Sequence, residues 1–102
     1  MRFEWNEEKN QDNIKKHGIS LEAATAIFND PSRYEFYDVE HSGYNESEVW
    51  EDRFITLGWV NRVLFVVYVV RGKNTEIIRM ISARKATKSE IKLYEDWSAG
   101  LL

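Results

Sequence analysis

The densest collection of chemistry-bearing residues is the stretch Arg79-Met80-Ile81-Ser82-Ala83-Arg84-Lys85-Ala86-Thr87, where two arginines, a lysine and a serine stand at a strand-to-helix junction. Guanidinium groups fork onto phosphate oxygens, and fixed positive charge stabilises the extra negative charge of a phosphorane-like transition state. Helix N-terminal amides near Thr87 would add to that field. Arg53 and Arg71, at the start of one expected strand and the end of another, join this patch if the sheet curls toward it. The plainer alternative is that Arg84 and Lys85 pair with acidic neighbours or lie solvated on an outer face.

His17 is the other candidate, because an imidazole moves protons near neutral pH and general acid–base help is worth about a hundredfold or more. Its place just before Gly18 is more often that of a histidine that bonds the last helix carbonyls and favours the helix dipole, a structural role. Asn13 shares that face and that ambiguity. His17 and His41 are the only histidines and there is no cysteine, so no metal-ligand spacing of recognised type and no thiolate chemistry arises; neither a metal nor a cofactor is expected. The four tryptophans and five tyrosines offer surfaces on which bases could stack, although most are expected in the core or an interface. No glycine-rich phosphate loop or nucleophile elbow is present.

The elements that must position these residues fit one domain spanning residues 1–102, with 43% apolar and 14% aromatic residues to build its core. Asn6 to His17 reads as a first helix, capped by Asn6 and closed by Gly18. Ser20 caps a second, whose Leu21, Ala24, Ile27 and Phe28 face inward, and Asn29-Asp30-Pro31-Ser32 ends it. Strands are expected at Arg33–Asp38, Arg53–Leu57, Val63–Val70 and Thr75–Ser82, with tight turns at Asn61-Arg62 and Gly72-Lys73-Asn74. Asp38 to Asp52 reads as an exposed acidic loop. Phe3 and Trp5 flank the first helix like a hydrophobic staple, and Thr87-Lys88-Ser89-Glu90 is a capping box that opens a last helix with Ile91, Tyr94 and Trp97 inward. The expected fold is α+β: two N-terminal helices on a four-stranded, mainly antiparallel sheet, with a C-terminal helix.

The net charge of -3 hides an uneven distribution. Residues 1–50 carry 5 Lys/Arg against 11 Asp/Glu, whereas residues 51–102 carry 9 against 6, so a polyanion site belongs in the second half. The charged N-terminus and the short apolar run Val63–Val70 argue against export and membrane insertion, and a cytoplasmic location is expected.

Phe3-Glu4-Trp5, Lys16-His17-Gly18, Phe28 with Asp30-Pro31, Arg53, Gly58 and Arg79 to Thr87 together resemble the BrnT toxins over nearly the whole chain. The resemblance implies a RelE-like fold, a metal-independent endoribonuclease that inhibits translation and growth, and a type II toxin–antitoxin pair. In such a pair a BrnA-type antitoxin binds toxin and operator DNA together, as a heterotetramer of two toxins and two antitoxins. It assigns function to His17, Arg53, Arg79 and Arg84, with Lys85 and Tyr94 as further members; together with Arg71 from the strand reading, these last two are expected to contact RNA. The substrate's own 2′-hydroxyl would attack its phosphate while arginines hold the charge. Asn6 stands where the family commonly has aspartate, an exchange that caps equally well, and Val69-Val70 stand where more polar residues are usual.

The rival expectation is a non-enzymatic module, a corepressor that modulates a DNA-binding partner. Convergence separates the two: catalysis requires several of Arg53, Arg79, Arg84 and His17 near one phosphate, whereas a corepressor tolerates them scattered.

Overall fold

The computed structural model describes residues 1–72, 74 and 76–102. Local sequence signals set its helices. In α1 (Glu7–His17) the Asn6 side chain accepts the Lys9 N–H, and Gly18 takes the left-handed conformation (φ 69°) and returns its N–H to Ile14. Acidic Glu7 and Glu8 in the first turn and basic Lys15, Lys16 and His17 in the last complement the helix dipole. Ser20 caps α2 (Leu21–Ala24), which tightens into a 3-10 turn over Thr25–Asn29 and buries Leu21, Ala24 and Ile27. The capping box of Thr87 and Glu90 opens α3 (Lys88–Ser98).

The sheet is larger than the four strands expected, with six among the described residues, of which only the β1–β6 pair is parallel. Its strands are β1 (Arg2–Glu4), β2 (Tyr34–Tyr37), β3 (Gly43–Tyr44), β4 (Trp50–Trp59), β5 (Val63–Arg71) and β6 (Ile77–Lys85). The main order is β1-β6-β5-β4-β2, with β3 paired to the outer end of β4. Two expectations are corrected here. The Phe3 segment is not a staple but β1, running parallel to β6 with Phe3 opposite Ile78 and Glu4 opposite Arg79. The acidic loop contains β3, whose pairing with Trp50 and Glu51 lengthens β4 beyond the expected Arg53–Leu57. Three residues and two residues carry too little periodicity to announce a strand; partners distant in sequence stabilise them instead. The expected strand start at Thr75 and the turn residue Lys73 lie outside the described residues.

Helices α1 and α2 pack against the sheet face that presents Leu64, Val66, Tyr68, Ile78, Met80 and Ala83, and this layer is the core. Within it Asn13, 6% exposed, donates to the Ile19 and Ala83 carbonyls (2.8 and 2.9 Å) and accepts the Ala83 N–H (3.2 Å). Asn10 accepts the Leu21 N–H at 2.7 Å. The two polar residues thus tie α1 to β6 and to α2. The Tyr68 hydroxyl donates to Glu35 and accepts from Thr56, and burial foremost, then the Glu35 carboxylate, raises its pKa. On the second face α3 closes one end, where Trp97 stacks on Tyr34 with ring centroids 5.0 Å apart.

Gly58 lets the 3-10 turn pack closely on β4. A Cβ there would lie 2.5 Å from Ile27 Cγ1 and 3.3 Å from Arg33 Cβ. Ile27 is wholly buried and has nowhere to retreat. Gly58→Ala is therefore expected to lose about 1–3 kcal/mol of stability, visible as a lower urea midpoint; an unchanged midpoint would contradict the packing described.

Candidate nucleic-acid interface

Strand pairing decides which arginines meet. Arg53 on β4 lies opposite Val69 on β5, and Val69 lies opposite Arg79 on β6, which in turn lies opposite Glu4 on β1. Partners across a ladder share a face, so Arg53, Val69, Arg79 and Glu4 form one row on the second face. Two strand spacings put the Cα atoms of Arg53 and Arg79 about 10 Å apart, within convergent reach of two long forked side chains. Arg71, two residues beyond Val69, points to the same side.

Arg79 and Arg84 are five positions apart and strict alternation would send them to opposite faces. A bulge disrupts the register at Val67/Tyr68, so that Arg79 faces Val69 while Arg84 faces Phe65, two residues of equal parity. Both arginines therefore emerge on one face, although about 13 Å apart along the strand.

Each guanidinium has an acidic neighbour. Arg71 donates from Nη1 to Glu4 Oε1 (2.9 Å), and its Nε lies 3.3 Å from Glu51 Oε2. Arg79 Nη1 reaches the same Glu4 oxygen at 3.3 Å. Arg53 Nε is 3.8 Å from Asp38 Oδ2, beyond hydrogen-bonding range, and is buried without a hydrogen-bond partner among the described residues. Arg53, Arg71 and Arg79 are each about one-third exposed, 31%, 33% and 32% respectively, so a phosphate can compete for their donors.

Arg84 is differently employed. It is bidentate to Glu90 at 2.8 and 3.0 Å and lies 3.8 Å above the Phe65 ring, joining the sheet to the start of α3. The hydrogen bond to Glu90 raises the pKa of Arg84, and in return the Glu90 carboxyl lies below its ordinary value, chiefly through Arg84. The plainer reading, an arginine paired with an acidic neighbour, thus describes Arg84. A carboxyl depressed in the folded state stabilises fully above its unfolded pKa and loses that contribution as pH falls through the folded one. Glu90→Gln is accordingly expected to be less stable than the wild type by about 1 kcal/mol near neutrality. The difference should vanish well below the ordinary value of 4.5. Thermal melts of both proteins across pH measure this, and a gap that persists in strong acid would refute it.

The remaining expected site residues lie elsewhere. His17 and Lys85 share a groove of about 590 Å³ with Arg62 and Asn61, formed where the end of α1 meets the β4–β5 turn. His17 thus lies on the helix-covered side of the sheet, away from the row of Arg53 and Arg79. Tyr94 donates from its hydroxyl to Asp30 Oδ2 at 2.6 Å. Burial, followed by the hydrogen bond to Asp30, pushes its pKa up to about 12. Burial alone would raise Asp30, but bonds from Tyr94 and from the Trp59 and Ser32 N–H groups outweigh it and leave the carboxyl lowered. Tyr94 therefore anchors α3 to the Asp30 turn.

The structure joins Arg71 and Arg79 on the Glu4 carboxylate, sets Arg53 on the same face two strands away, leaves Arg84 at the other end of that face, and separates His17 and Lys85 from all of them. Sequence reasoning did not single out Glu4, Glu51 or Arg62. Glu4 gains its place by pairing with the distant strand β6, Glu51 stood only as one of several carboxylates in the acidic segment, and Arg62 lies in a turn, so nothing along the chain set them beside the arginines or His17.

The model of the family "Ribonuclease toxin, BrnT, of type II toxin-antitoxin system" matches residues 5–90. The crystal structure of the Brucella abortus ribonuclease toxin, BrnT, superposes with a TM-score of 0.60 at 25% identity, covering 86% of this chain and 99% of that one. No curated protein matches significantly. With residues 5–90 of its 102 inside the family model and the same α+β architecture as that toxin, the chain belongs to the BrnT family of ribonuclease toxins of type II toxin–antitoxin systems.

Proposed function

We propose that residues 1–102 form one toxin domain with a RelE-like fold that cleaves RNA internally without a metal ion. Growth and translation then stop unless a BrnA-type antitoxin covers the toxin. The observation that carries the reading is the cross-strand row of Arg53 and Arg79 with Arg71 beside it. Guanidinium forks converging on one face suit a phosphodiester whose charge grows as the neighbouring 2′-hydroxyl attacks. Arg79 and Arg71 hold the scissile phosphate, and Arg53, in the same row, holds the adjoining one. Arg84 positions α3 through Glu90, and His17, Lys85 and Tyr94 stand outside the reacting group. Operator DNA is contacted only through the antitoxin, in an assembly of two toxins and two antitoxins in the cytoplasm.

The test is induced expression of the wild type with and without a BrnA-type antitoxin, followed by incubation of purified protein with end-labelled RNA in excess chelator. Growth arrest relieved by the antitoxin, together with internal cleavage that survives the chelator, is the expected result. Because only a few charges grip the phosphates of an acidic protein, RNA binding should be modest and weaken with salt. Harmless expression and intact RNA would replace this reading with that of a corepressor.

A further inference from the structure

The β1 strand places one carboxylate among the arginines. Phe3 turns to the helix-covered face, where its ring, still exposed at the edge, lies 5.4 Å from that of Phe28, so Glu4 turns to the opposite, arginine-bearing face. Glu4 Oε1 accepts from both Arg71 (2.9 Å) and Arg79 (3.3 Å), and the side chain is 38% exposed. Beside it opens a groove of about 660 Å³ lined by Glu4, Trp50, Arg71 and Ile77. That volume falls within the range of small-ligand pockets. Trp50 is 50% exposed, with its indole N–H fixed on Asp52 Oδ1 at 2.8 Å, and presents a flat apolar ring on which a base can stack.

Resting on the ribonuclease reading above, we propose that Glu4 is the general base of the cleavage. In RNA the attacking 2′-oxygen is a near neighbour of the phosphate it attacks. A carboxylate touching the same guanidiniums that receive the phosphate therefore stands where the 2′-hydroxyl arrives. As the phosphate oxygens take up the forks of Arg71 and Arg79, those forks release Oε1. The Glu4 carboxylate then takes the 2′-hydroxyl proton, the 2′-oxygen forms its bond to phosphorus, and the bond from phosphorus to the 5′-oxygen breaks. The departing 5′-oxygen takes a proton from water, leaving a 2′,3′-cyclic phosphate, and Glu4 returns its proton to solvent. Glu51 is less suited, since it meets Arg71 but lies only 23% exposed, and Asp38 beside Arg53 is 13% exposed. Glu4 also lies just outside the span matched by the family model.

The test compares single-turnover cleavage across pH for the wild type, Glu4→Gln, Glu4→Asp and Glu51→Gln, and for Glu4→Ala with and without added formate. Circular dichroism and RNA affinity are measured on each. Glu4→Gln should slow cleavage by at least about a hundredfold while binding RNA within a few-fold of the wild type, and should lose the fall in rate on the acid side. Glu4→Asp should keep that fall, formate should restore part of the Glu4→Ala rate, and wild-type products should end in cyclic phosphate. The assignment is overturned if Glu4→Gln cleaves normally, if Glu51→Gln removes the acid-side fall instead, or if a slow Glu4→Gln keeps that fall and formate rescues nothing. The last pattern would make Glu4 a positioning residue for the arginines. A wild type that leaves RNA intact would instead overturn the ribonuclease reading from which the assignment starts.

Discussion

Arg79→Ala should cleave RNA about 10²–10³-fold more slowly than the wild type, the loss typical of removing one preorganised donor from a developing oxyanion. Arg79 has the largest effect among the arginines because it lies in the middle of the row, between Val69 and Glu4, and shares the Glu4 carboxylate with Arg71. Lysine in its place keeps the charge but not the planar fork, so Arg79→Lys should recover only part of the rate. Folding is expected to change little, because the Arg79–Glu4 pair is about a third exposed and such pairs contribute roughly 0–1 kcal/mol. The measurement is single-turnover cleavage beside a thermal melt of each variant. A folded Arg79→Ala protein with the wild-type rate would remove the row from the mechanism.

Asn13→Ala should have the opposite profile, a large loss of stability with the site intact. Asn13 is buried and satisfies three backbone groups, the carbonyls of Ile19 and Ala83 and the N–H of Ala83. Each group left buried without a partner costs about 1–3 kcal/mol, so a total of roughly 3 kcal/mol is expected. For a chain of this size that corresponds to a fall in melting temperature of more than about 10 °C. Asparagine alone supplies both the two donors and the acceptor used here; Asn13→Asp keeps the acceptor but faces two carbonyls with a carboxylate, and should also be severely destabilised. Because Asn13 lies on the helix-covered side, whatever fraction remains folded at low temperature should cleave RNA at the normal rate. A melting temperature within a few degrees of the wild type would mean that water replaces the amide.

Both predictions depend on features of different legibility. Asn13 could be placed on one face of the first helix with His17, but nothing along the chain tells which of the two faces the sheet: the structure buries Asn13 against Ala83 and leaves His17 exposed at the helix end. Arg79 stood out as part of a dense cluster, yet the cluster itself is divided, with Arg84 bound to Glu90 and Lys85 beside His17.

The sequence by itself determined the features whose energetics are local. The Asn6 and Ser20 caps, the Gly18 terminus, the Thr87–Glu90 capping box and the apolar run of β5 all arise from residues within a few positions of one another, where side chain and backbone choices can be read directly. The ordered series of short motifs also carried the likeness to BrnT that the family model bears out. Tertiary structure alone decided what distant pairing creates. Strand β1 exists because β6 accepts it in parallel register, and β3 because the outer end of β4 does. The bulge on β6 turns Arg79 and Arg84 to one face, and the β4–β5–β6 register aligns Arg53 with Arg79. Cross-strand neighbours are set by register, a property of two segments at once, and a one-residue shift in either would send these arginines to the other face.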